Sequence, residues 1–93
     1  MALLDDIAEK IIQEQALVIG PLAWSEARKV DGLNVDANSS VRISRPDPKA
    51  AVDGLVARYE RLFGKASREV CKDAAASLIS SMPRSDVPAS LLA

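Results

Sequence analysis

Histidine is absent from this chain of 93 residues, and cysteine occurs once, at Cys71. Without an imidazole there is no His-based triad, no histidine metal ligand and no side chain that ordinarily titrates near neutrality. A single cysteine excludes an intrachain disulfide and any zinc site built on paired cysteines. Aromatic residues are almost as scarce, with Trp24, Tyr59 and Phe63 making up the whole set. A core must therefore be assembled from Leu, Ile, Val and Ala, which suits helices packed at close approach. The net charge is −1, so no global field gathers nucleic acid or an anionic membrane. The longest apolar stretch, residues 16–23, is interrupted by Gly20-Pro21 and falls well short of the roughly 20 residues that span a bilayer. Acidic residues stand near the N-terminus where a secretory signal would carry basic ones, so a cytoplasmic location is expected. No phosphate-binding loop, dinucleotide fingerprint, nucleophile elbow or calcium loop occurs, and no cofactor is expected.

What is present reads as one small, mainly helical α+β domain over residues 1–82, with three to four helices and a short β-hairpin between the second and third. Leu3, Leu4, Ile7, Ala8, Ile11, Ile12 and Ala16 follow the i, i+3/i+4 rule, which predicts a helix over about 2–18. Gly20 can take the left-handed cap conformation, and Pro21 suits the first position of a second helix, expected over 21–30 with Gly32 as its stop. Leu33-Asn34-Val35 and Val41-Arg42-Ile43 alternate apolar and polar around a turn-rich linker at 36–40, the pattern of a hairpin near 33–43. Asp47 and Pro48 form a natural N-cap and first turn for the third helix.

Residues 47–82 carry the strongest pattern. Val52, Leu55, Val56, Tyr59, Leu62, Phe63, Ala66 and Val70 recur on one side, and Arg58, Arg61, Lys65, Arg68 and Lys72 recur with spacing 3-4-3-4. At about 100° per residue the two sets fall roughly opposite each other. Both keep phase across Gly64, as a continuous helix would. A run of that length is long for so small a domain, however, and favours two helices divided at Gly64. The difference matters, because a continuous helix makes the five cations a single docking surface and a break splits it. Beyond Met82 the sequence reads as a flexible tail, 83–93, with an apolar tip at Leu91 and Leu92.

The chemistry available is limited. Asp5 with Glu9, and Glu69 with Asp73, stand four residues apart on helical faces, yet such pairs are usually solvated surface. No catalytic or metal-ligating residue is assigned. The five cations are a candidate anion or partner surface, with acidic Glu60 and Glu69 interleaved among them. Trp24, Leu91 and Leu92 are candidate partner anchors. Cys71 reads as a small core residue; a thiol activated by Arg68 and Lys72 is the alternative. These features point to a non-enzymatic protein-interaction or regulatory module, self-associating as a dimer. Its expected core or seam is Leu3, Ile7, Ile11, Val52, Leu55, Tyr59, Leu62 and Val70. A nucleic-acid-binding regulator using the basic ridge is the second reading, and a small thiol-dependent enzyme the third.

Overall fold

The computed structural model describes residues 3–36, 40–44 and 47–92. The middle of the expected turn, 37–39, and residues 45–46 of the following loop lie outside them. Among the described residues the order is α1 (Leu3–Ile19), α2 (Leu22–Ala27), β1 (Leu33–Val35), β2 (Val41–Ile43), α3 (Pro48–Phe63) and α4 (Lys65–Ile79). Two short 3-10 turns follow at Arg84–Asp86 and Ala89–Leu91. The mainly helical class and the position of the hairpin agree with the expectation.

Helix α1 begins with Asp5 and Asp6 in its first turn, where negative charge complements the exposed N–H groups. It ends at Gly20, whose φ of +75° lies in the region that favours glycine, and Gly20 N donates to Ala16 O at 2.9 Å. Helix α2 stops at Ala27, three residues before the expected end. Lys29 N and Val30 N donate to Glu26 O and Ala27 O, both at 3.1 Å, so the chain tightens into i→i+3 turns ahead of Gly32.

The hairpin is antiparallel, with Leu33 opposite Ile43, Asn34 opposite Arg42 and Val35 opposite Val41. Leu33 and Val41 are buried, while Asn34 and Arg42 are exposed, as strand alternation requires. Two strands alone are marginal in water, and α1 supplies what is missing. Val41 N donates to Glu9 Oε1 at 3.2 Å, and Ile43 N donates to Asp5 Oδ1 at 3.1 Å. Four residues along a helix rise about 6 Å, close to the roughly 6.7 Å between alternate strand residues, so the two carboxylates match the two outward N–H groups. Asp5 and Glu9 thus protect the edge of β2.

The core joins Ile7, Ile11 and Ile12 of α1 to Val52, Leu55, Val56 and Tyr59 of α3, all between 0% and 1% exposed. Helix α3 opens on Asp47, whose side chain accepts from Ala50 N at 3.3 Å. Gly64 divides the long basic segment: its φ of +90° with ψ of −179° is unfavourable for any residue with a Cβ. The two short helices are therefore the arrangement adopted. The break also restarts the helical phase, so α4 turns Ser67, Cys71, Ala74 and Ala75 inward, chiefly onto α1. Ala66 is consequently exposed, Val70 only half-buried, and Leu62 at the end of α3 is 45% exposed rather than part of the core.

The segment read as a flexible tail is laid against the domain. Val87, Pro88 and Leu91 are buried, and Asp53 of α3 accepts from Ser90 N at 3.0 Å and Ser90 Oγ at 2.5 Å. Lys49 Nζ donates to Ser85 O at 2.9 Å. Two prolines shorten the list of conformations available to the unfolded segment, which lowers the entropy lost on docking.

Candidate functional site

The basic ridge does not survive as one surface. Arg58 turns toward α2, where its Nε and Nη2 both lie 2.8 Å from Glu26 Oε1. The other Glu26 oxygen receives Lys29 Nζ at 3.3 Å. Beyond Gly64, Arg68 reaches back across the corner to Glu60 at 3.8 Å, and Lys72 lies 3.7 Å from Glu69. Lys65, Arg68 and Lys72 share a shallow depression with Glu60 and Glu69, a surface of mixed sign. Arg61 and Lys65 are exposed and have no ion partner among the described residues.

Glu26 is one residue of the site that sequence reasoning missed, and Lys29 is another. Glu26 reads as an ordinary polar position of a short helix, yet it is only 8% exposed. The signal lay in its neighbours: Ala23 and Ala27 flank it on the face of α2 that turns to the core. The hydrogen bond from Arg58 holds its carboxyl below the usual range, against an opposing push from burial, with Lys29 adding to the lowering.

Arg58, Arg61 and Lys29 meet at an open cleft of about 290 Å³ between the turn that follows α2 and helix α3. Its floor is the small-residue side of α3, formed by Ala50, Gly54 and Ala57, and Asp31 stands on its wall. Two of the five expected cations therefore come together there, joined by Lys29 from another segment.

The remaining candidates are placed as follows. Trp24 is half-buried and packs against the core. Leu91 is 6% exposed and packs into the interior of its own chain, whereas Leu92 keeps 38% exposure. Cys71 is fully buried, accepts from Gln15 Nε2 at 3.3 Å, and has its thiol pushed up to about 11 chiefly by burial. That direction opposes activation. Gln15 also donates to Ser67 O at 2.7 Å, leaving its Oε1 buried without a partner among the described residues. Glu69 and Asp73 lie on α4, where Glu69 pairs with Lys72. No group of three or more metal-ligating side chains occurs among the described residues. No helix there is long and apolar enough to cross a membrane.

Large aliphatic side chains remain in solvent at one end of the molecule. Leu17 and Val18 are 80% and 66% exposed, and Leu22 is 46% exposed, all flanking the Gly20-Pro21 corner. Leu62, beside the Gly64 corner, is 45% exposed. Two bonds bring these corners to the same end: Gln15 to Ser67, and Tyr59 Oη to Ala23 O at 2.7 Å. Comparison of the chain with protein-family models, with characterised proteins and with solved structures finds no match.

Proposed function

We propose that this protein is a non-enzymatic interaction module of the cytoplasm that self-associates as a dimer, using the aliphatic end at the two corners. The observation that carries the reading is the exposure of Leu17, Val18, Leu22 and Leu62. Withdrawing these four side chains from water is worth about 4–7 kcal/mol per protomer before association entropy is charged against it. In a two-fold dimer the same patch is used twice, which doubles that gain. Of the residues read in the sequence as core or seam, Ile7, Ile11, Val52, Leu55 and Tyr59 are buried in the chain's own core, and Leu62 remains exposed for a seam.

Size exclusion with light scattering, at low and high salt, tests the proposal. The expected result is a dimer at both, since apolar burial is insensitive to screening. Leu55→Asp should unfold the chain, whereas Leu62→Asp should give a folded monomer with wild-type helix content. A wild type that stays monomeric at every concentration overturns self-association. A species that carries nucleic acid and sheds it at high salt would replace this reading with the nucleic-acid one.

A further inference from the structure

We propose that the cleft between the α2 exit turn and α3 binds a compact oxyanion ligand, a small molecule bearing phosphate or carboxylate groups. Three cations converge on it from two segments: Lys29 from the turn, Arg58 and Arg61 from α3. Asp31 is the one carboxylate among the lining residues, so the binding face is net positive even with Glu26 behind it. Arg58 does not have to be ordered by the ligand. Glu26 already fixes it through two hydrogen bonds and leaves most of its N–H donors unused. Glu26 is thus a positioning residue, and the entropy of ordering the guanidinium is met in the free protein. Arg61, exposed at the cleft, has no ion partner among the described residues.

Gly54 supplies the second argument. It lies inside α3 and is exposed, at a position where glycine is a poor helix former. Among the described residues a Cβ built there meets only Val30 Cγ1, at an ordinary 3.6 Å. Nothing in the packing of the described residues therefore requires glycine. Its absent side chain leaves the cleft floor open, and a ligand can approach the helix backbone between Ala50 and Ala57. The volume of about 290 Å³ is near the lower end for small-molecule sites, which fits a compact anion rather than a nucleotide-sized one.

The inference does not rest on self-association, and a Leu17→Glu variant that is monomeric should bind equally well. The test is a heteronuclear NMR titration of the full chain with pyrophosphate and, separately, with citrate at low ionic strength. Saturable shifts confined to residues 26–31 and 50–61 are expected, and the tighter of the two probes distinguishes phosphate from carboxylate chemistry. Arg61→Gln should weaken binding about tenfold with the fold unchanged. Gly54→Leu should abolish it by filling the cleft while raising the thermal midpoint. Absent shifts, shifts centred on Arg68 and Lys72, or affinities unaltered in both variants would overturn the proposal.

Discussion

Replacing Gln15 with methionine should make this protein more stable, although it removes a buried hydrogen bond. Gln15 is fully buried in α1, and its amide nitrogen donates to Ser67 O at 2.7 Å and to Cys71 Sγ at 3.3 Å. Its carbonyl oxygen finds no partner among the described residues. A buried acceptor left unpaired costs about 1–3 kcal/mol, whereas a neutral hydrogen bond contributes only about 0.5–1.5 kcal/mol net. The groups on the far side lose little. Ser67 O lies inside α4, where the helical ladder already offers it the N–H four residues on. The thiol is a weak hydrogen-bonding group in either role. Methionine keeps the length and volume of glutamine and adapts to irregular packing. The balance is a gain of about 1 kcal/mol, equivalent to about 4–8 °C in thermal midpoint for a domain of this size.

Urea unfolding at equilibrium reads this directly. The Gln15→Met midpoint should rise by about 0.5–1 M with the slope unchanged, since the surface exposed on unfolding is the same. Gln15→Ala separates polarity from volume. It also removes the orphan oxygen but opens a cavity, and should lose about 2–3 kcal/mol. A Gln15→Met protein less stable than wild type by 1 kcal/mol or more (about the worth of one hydrogen bond) would refute the reasoning. It would mean that Oε1 is satisfied in solution.

Two further tests use titration. Glu26 has its carboxyl held low by Arg58, so the stability this gives is present above the ordinary carboxylate value of 4.5 and is lost as pH falls through the lowered one. Acid unfolding of the wild type should begin below about pH 4.5, and Arg58→Met should be less stable at neutral pH with a flatter acid limb, measured by circular dichroism. At the alkaline end, the Cys71 thiol is raised from 9.0 to about 11, and burial likewise raises the Tyr59 hydroxyl. Both groups ionise more readily in the unfolded chain, so stability should fall from about pH 9 upward, by about 2–3 kcal/mol from the thiol alone once pH passes 11. Cys71→Ala should delay that loss. Native Cys71 should also resist thiol reagents at neutral pH and react only at the rate of unfolding.

The elements were legible because their local signals were redundant. Helix α1 carried periodicity, an acidic first turn and a Gly-Pro stop, each pointing the same way. The hairpin showed alternation and a turn-rich linker. What made it stable was not local, since Asp5 and Glu9 stand 32 or more positions from the strand N–H groups they receive. Read within α1 alone, those carboxylates are indistinguishable from solvated surface. The docked segment after Met82 was hidden for a related reason. Its prolines and serines are the composition of a mobile end, and only the groove beside Asp53 and Lys49 gives Val87 and Leu91 somewhere to go.

The candidate site was half legible, and Gly64 explains which half. Arg58 and Arg61 precede the glycine, share one helix, and do lie together at a cleft. Arg68 and Lys72 follow it. Continuous spacing carried the ridge past a residue whose φ of +90° ends one helix and starts another with a new face inward. The length of the run favoured a break at Gly64, but spacing alone cannot register which side chains the second helix turns inward after it. Lys29 and Glu26 escaped for the opposite reason: no periodicity links them to α3. They join the site only because α2 folds across it, and a buried carboxylate between two alanines is the sole local trace of that crossing.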